Sequence, residues 1–275
     1  MSQGRKIGLI AGAGALPHTV VAQAKAQGDD IVVAALQGFS NPEDFDARAQ
    51  AYGFGEIGGL IKKFKQEQCT HISFAGQVSR PEFANIKPDL KGMRLLPKVI
   101  KAAARGDDAL LKLMVSVFEK EGFEILAPQD ICHSSLMPQG PLGTVAPDEE
   151  QWADISKAMH IAAIIGAEDI GQGAVVHNGL VLAVEAQEGT DKMLKRVADL
   201  PAAIRGGVLA KRLKPGQEAR VDLPTIGVRT VELAAKAGLT GIALQANKAF
   251  VMDIEAVKQK ADALGLFVVG LDDAD

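Results

Sequence analysis

Residues Lys6–Gln27 read KIGLIAGAGALPHTVVAQAKAQ. The first six form a short apolar strand, and Pro17–Gln27 reads as a helix with proline in its first turn, where its missing N–H costs nothing. Between them stand Gly12 and Gly14, which suit a tight turn or the close approach of backbone to a phosphate. Arg5 and Lys6 ahead of Ile7-Gly-Leu-Ile-Ala, with Ala22-Gln-Ala24 behind, superficially match a secretion signal. Gly12, Gly14, Pro17 and His18 break the apolar stretch such a signal needs, so strand, turn and helix is the better account.

The same alternation continues outward. Ile31–Leu36 (IVVAAL) is an unbroken apolar run, as in a strand buried on both faces. Glu56–Gln68 places Ile57, Leu60, Ile61 and Phe64 on one helical face. His71–Ala75 is a third strand. Helices follow over Leu96–Ala104 and Asp107–Glu121, then a strand near Phe123–Leu126. Strands alternating with helices predict a parallel, Rossmann-like sheet over residues 1–131. Residues 132–147, with Pro138, Pro141 and Pro147, are expected to be a linker or a long functional loop. Residues 148–275 predict a distinct α+β domain: a helix over Glu149–Ile165, a hairpin turn at His177-Asn178-Gly179, helices over Thr190–Asp199, Thr230–Ala237 and Ile254–Leu264, and strands between them. The fold class is α/β with two domains.

The chain has 275 residues and a net charge of −4, which argues against a nucleic-acid partner. Two cysteines, Cys69 and Cys132, are too few for a disulfide framework and favour a reducing compartment. No apolar run approaches the roughly 20 residues of a membrane span.

Five stretches carry chemistry. Gly12-Ala13-Gly14-Ala-Leu16-Pro17 opens a helix after a strand but has proline where a dinucleotide fingerprint wants its third glycine. After the second strand stands Gln37-Gly38, with no carboxylate for the ribose, so an NAD(P)-linked oxidoreductase is the weaker alternative. Gly76, Gln77 and Arg80 follow the third strand, at the end where ligands of open parallel sheets lie. Arg105-Gly-Asp107-Asp108 is read as helix capping. Val184-Glu185-Ala-Gln-Glu188-Gly189-Thr190-Asp191 has more acids than a cap needs, and hard carboxylate oxygens suit magnesium. Finally, Lys211-Arg-Leu-Lys214-Pro-Gly-Gln217-Glu-Ala-Arg220-Val-Asp222-Leu-Pro-Thr225-Ile-Gly227 mixes cations with a carboxylate in an apolar frame, a composition suited to a phosphate ester. Glu218 reads as the more solvated acid of this stretch.

Together with Asp169-Ile-Gly-Gln172, these segments in this order resemble the LpxI-type UDP-2,3-diacylglucosamine pyrophosphatases, over nearly the whole chain. The resemblance implies a magnesium-dependent hydrolase of lipid A biosynthesis that directs water at the α-phosphorus of UDP-2,3-diacylglucosamine. Products would be UMP and 2,3-diacylglucosamine 1-phosphate. It implies a substrate lying between two domains and a cytoplasmic location. Asp222, in a D-x-P-x-x-G setting, is the expected catalytic residue. Metal ligands would be Asp222, Glu188 and Asp191. Substrate would meet Gly12, Ala13, Gly14, Leu16, Pro17, Gly76, Gln77, Arg80, Gln172, Gly189, Thr190, Lys214, Arg220 and Thr225. Lys214 and Arg220 would neutralise phosphate. The lipid-linked UDP-sugar is the expected partner; peripheral contact with the inner membrane and a homodimer are also open to such an enzyme. Asn247-Lys248 and Glu218 depart from the family's usual residues, which bears on ligands near the last strands but not on Asp222. A non-catalytic nucleotide or lipid carrier is the third reading.

Overall fold

The computed structural model describes residues 4–79 and 86–272. Arg80 lies outside the described residues. The chain divides into two compact units, one containing residues up to His133 together with Glu218–Asp222, the other Ser134–Gln217 and Leu223 onward.

The first unit holds β1 (Lys6–Ala11), α1 (Leu16–Ala26), β2 (Asp30–Leu36), β3 (Gln50–Tyr52), α2 (Ile57–Gln66), β4 (His71–Ala75), α3 (Leu90–Ala103), α4 (Asp107–Lys120), β5 (Glu124–Ile125) and the short α5 (Pro128–Ile131). Its strands form one sheet in the order β3-β2-β1-β4-β5, and every neighbouring pair is parallel. That is the Rossmann-like sheet predicted. β1 and β2 are buried almost throughout because helices cover both faces. On one face α2 and α4 pack Leu60, Phe64, Val115 and Phe118 against Ile10, Val32 and Ile72. Gly8 is part of that fit: an added Cβ would stand 2.7 Å from the Phe64 ring. Removing that ring would cost about 3–5 kcal/mol.

α3 begins six residues before the expected Leu96. Asp89 caps it, its side chain accepting from the Gly92 N–H at 2.7 Å. Pro97 then falls inside the helix, where its missing donor is tolerable because that face is open to water.

The second unit contains β6 (Gly140–Pro141), α6 (Glu149–Ala167), β7 (Gly173–His177), β8 (Leu180–Val184), α7 (Thr190–Ala198), β9 (Val208–Lys211), β10 (Thr225–Ile226), α8 (Val228–Lys236), β11 (Gly241–Gln245), β12 (Phe250–Val251), α9 (Ile254–Leu264) and β13 (Phe267–Leu271). The main sheet runs β6-β13-β11-β9-β7-β8. β9, β11 and β13 are parallel, and β6, β7 and β8 join antiparallel. α6 covers one face with Ile155 and Met159; α7, α8 and α9 cover the other with Met193, Leu194, Val231, Ala234 and Val257. The turn between β7 and β8 has Asn178 and Gly179 at positive φ, and Asp154 accepts both of their N–H groups at 2.9 and 2.7 Å.

The proline-rich stretch expected as a linker contributes to this unit. Met137 is fully buried, and Gly140-Pro141 pairs with β13 at the edge of the sheet, where proline's missing N–H is tolerated. Among the described residues no helix is long and apolar enough to cross a membrane.

Candidate functional site

In the first unit, the strand order reverses direction at β1 and β4, and the crevice at the carboxyl ends of such a pair is where ligands bind in open parallel sheets. The two glycine turns meet there. Gly12 N–H donates to the Ala75 carbonyl at 2.8 Å, Ala13 N–H to the Gln77 carbonyl at 2.8 Å, and Gln77 N–H back to the Ala13 carbonyl at 2.9 Å. Two of the amides that a phosphate cradle would use are therefore spent joining the turns. Gly14, at φ +94° with nothing within 4 Å of an added Cβ, faces open space. Leu16 and Pro17 begin α1, whose N-cap Ala15 offers no side-chain acceptor. The open part of the turn is thus Gly14 and the start of the helix, where amides and dipole favour an anion. After β2 stands Gln37, with no carboxylate in the ribose position.

Asp222 ends the five-residue segment that clusters with this first unit. The segment is tied down at four points. Glu218 N–H donates to Asp108 Oδ1 at 2.9 Å, and Gln129 Nε2 donates to the Ala219 carbonyl at 2.8 Å. The Arg220 guanidinium donates to both Glu218 carboxylate oxygens at 2.8 Å and to Glu119 Oε1 at 2.9 Å. Val221 packs against the α2–α4 core. The guanidinium's hydrogen bonds hold the Glu218 carboxyl below its ordinary pKa despite partial burial, and the two carboxylates raise Arg220. Glu218 is thus an anchor and not the solvated acid expected, and Arg220 is neutralised by protein carboxylates. The capping expected of Gly106 and Asp107 falls elsewhere: Ala104 ends α3 and Gly106 is the N-cap of α4, with no side-chain cap bond, while Asp108 serves this segment besides pairing with Lys112. Asp222 itself is half-buried.

The second unit gathers other expected residues at one end of its sheet. Lys211, last in β9, is buried; its Nζ donates to Thr190 Oγ1 at 2.7 Å. Thr190 Oγ1 donates in turn to Glu185 Oε1 at 2.8 Å, and Glu185 Oε2 lies 3.9 Å from Lys211 Nζ. That oxygen, Gln172 Oε1 and Arg212 Nε are buried without hydrogen-bond partners among the described residues. Gly189, at φ +80°, is the N-cap of α7. Lys214 Nζ is bonded to Asp169 at 2.7 Å, and the Thr225 hydroxyl to the Leu223 carbonyl at 3.2 Å. Glu185 and Lys211 lie inside the acidic and cationic stretches that the sequence marks for chemistry, but neither is among the residues expected to touch substrate or metal. The one available signal was a lysine closing an apolar run.

Glu188 pairs with Arg196 at 2.5 Å and Asp191 with Arg229 at 2.6 Å, both in the second unit, whereas Asp222 clusters with the first. Glu188's own backbone N–H, against some burial, and then Arg196 hold its carboxyl below the ordinary value. Among the described residues no three His, Cys, Asp or Glu side chains are grouped to hold a metal.

Over residues 6–135 the chain matches the model of the LpxI N-terminal domain, and over residues 138–269 that of the LpxI C-terminal domain. The chain belongs to the LpxI family. A relative from Caulobacter vibrioides, UDP-2,3-diacylglucosamine pyrophosphatase LpxI, is 52% identical over 274 residues, covering 98% of each chain. Two solved structures are similar at a much looser level. One is CobK precorrin-6A reductase, at 16% identity and TM-score 0.32 over 98% of this chain and 88% of that one. The other is Thermus thermophilus UDP-glucose 4-epimerase with NAD, at 16% identity and TM-score 0.31 over 97% and 86%. Neither likeness is close enough to bear on function.

Proposed function

We propose that this chain hydrolyses the pyrophosphate bond of UDP-2,3-diacylglucosamine, releasing UMP and 2,3-diacylglucosamine 1-phosphate. The observation that carries the reading is 52% identity, over 98% of both chains, to a relative named for that substrate. In the reaction a water oxygen bonds to the α-phosphorus. The bond from that phosphorus to the bridging oxygen breaks, and the bridging oxygen leaves with the β-phosphate on the lipid sugar. Asp222 is the carboxylate that orients the water and takes its proton. Its fixed loop supports that role, because a positioned base gains most when its supports are rigid. Gly14 and the start of α1 offer an anion site for the nucleotide phosphate. Lys214 is paired with Asp169, and Arg220 with Glu218 and Glu119, so their charge toward phosphate is partly offset; as held, Arg220 is a positioning residue for Asp222. Magnesium belongs to the proposal as an ion held mainly by substrate phosphate oxygens, since one or two protein carboxylates then suffice, and Asp222 can supply one. Glu188 and Asp191, each paired with an arginine, do not fit that role as they stand. The reaction is placed in the cytoplasm, on a substrate presented by the inner membrane.

The test is release of UMP from the lipid nucleotide by the purified protein, with magnesium and with a chelator. In ¹⁸O-water the label should enter UMP and not the lipid phosphate. Asp222→Ala should lower turnover by about 100-fold or more with an unchanged circular dichroism spectrum. Near-normal turnover would remove Asp222 from the chemistry. A protein that binds the substrate and never releases UMP would be a carrier, and hydride transfer with NAD(P)H would make it an oxidoreductase.

A further inference from the structure

α3 (Leu90–Ala103) packs against α2 and α4, burying Gly92 and Ala103. At about 100° per residue, its solvent-facing side divides into two adjacent strips. One carries Leu90, Met93 and Ile100, which are 80%, 57% and 49% exposed, with Pro97 between them. The other carries Arg94, Lys98 and Lys101, and Arg105 continues it just past the helix end; all four are exposed. None of these four cations has an ion-pair partner among the described residues, unlike Lys91, which is paired with Glu121. Residues 90–106 contain no acid; Asp89 and Asp107 stand at the two ends. This is unusual in a chain of net charge −4.

We propose that α3 is a membrane-docking helix that lies on an anionic phospholipid surface. Leu90, Met93 and Ile100 enter the boundary between headgroups and acyl chains while the neighbouring cations engage lipid phosphates, the division of labour of helices that lie in a bilayer interface. Charge selects this occupant over a second copy of the chain: a symmetric contact through α3 would set its cations against themselves. The inference rests on the surface of one helix and is independent of the reaction proposed above.

The experiment is co-sedimentation of the full chain, without substrate, with vesicles of phosphatidylcholine alone or with about 30% phosphatidylglycerol. Binding is expected only with the anionic lipid and should fall as salt rises from about 0.05 to 0.5 M. Lys98→Glu with Lys101→Glu should weaken it at least tenfold, and Met93→Ser with Ile100→Ser should weaken it similarly. Lys195→Glu, the same charge change on α7, should leave it unaltered. All these positions are exposed, and circular dichroism with melting checks that each variant folds. No binding to anionic vesicles at low salt, or equal binding by the α3 variants, overturns the proposal. So does sedimentation showing that the α3 variants convert a dimer to a monomer while vesicle binding is unchanged.

Discussion

A methyl group added at Gly12 would stand 2.7 Å from the Gln77 carbonyl oxygen and 2.9 Å from the Gly76 carbonyl carbon. Both are backbone atoms of the facing turn, so neither can swing away. At Gly14 an added Cβ would meet nothing within 4 Å, and only the φ of +94° opposes it. Gly12→Ala is therefore expected to lower stability by about 1–3 kcal/mol, and Gly14→Ala by about 1 kcal/mol or less. Urea unfolding decides it, and equal losses would mean that the two turns do not depend on close packing. The two glycines look alike in the sequence. Only the register of β1 against β4, a contact between residues some sixty positions apart, separates them. The same limit hid the burial of Glu185 and Lys211, both named in the sequence for their charge: a charged residue at a strand end looks solvated until the neighbouring strands close over it. Cys69 and Cys132 were simpler to read. Both are free and buried, and burial pushes each thiol up to about 11, which suits inert cysteines.

Elements with a strong period were plain beforehand. α2, β4, α4 and α9 lie within two residues of their expected bounds, because apolar spacing and flanking glycines mark them. β3, β6 and β10 are each two or three residues long, too short to carry a period, and their pairing is set by strands elsewhere in the chain. At this scale the anchors of the Asp222 segment make a prediction. Glu119→Ala and Glu218→Ala each remove one of the two carboxylates that hold the Arg220 guanidinium and leave the Asp222 side chain itself intact. Each should lower kcat by about tenfold, the scale expected when a reacting group is loosened, with KM little changed. Glu218→Gln should recover part of the loss. An effect on KM alone would make these residues substrate contacts. A second element-scale prediction concerns Asp29, which ties β1 to the turn before β2 through Arg5 N–H at 2.8 Å and the Arg5 guanidinium at 2.5–3.2 Å. Burial alone would raise the Asp29 carboxyl, but Arg5 outweighs it and holds it below its ordinary value. A depressed carboxyl contributes stability above the unfolded-state pKa of about 3.9 and loses it as pH falls through the folded-state value. Asp29→Asn should cost about 2 kcal/mol at pH 7. The gap between the melting curves of parent and variant should narrow as pH falls below about 4; a constant gap down to pH 2 would exclude this linkage.

For the whole molecule, the two-domain α/β class was readable because strands alternate with helices in the first half and hairpin signals mix with helices in the second. The assignment of Glu218–Asp222 to the first unit was not, because nothing local distinguishes these residues from the charged loop around them. Their partners, Asp108, Glu119, Gln129 and the apolar cluster receiving Val221, lie about ninety to over a hundred positions earlier. A hybrid built by joining residues 1–133 of a divergent relative to the remainder of this chain should fold yet turn over poorly. Moving residues 218–222 along with the first segment should restore turnover, and a hybrid equally active without them would show that the anchors are interchangeable.

The short return of the chain to its first unit also bears on how such a protein can change over generations. A substitution at Glu119 is felt by Arg220, and one at Asp108 by the backbone at Glu218, although a simple cut between the two halves would sort them apart. Lineages should therefore vary these positions in concert, and recombination near residue 134 should leave few viable offspring unless both parents already agree on five letters late in the text.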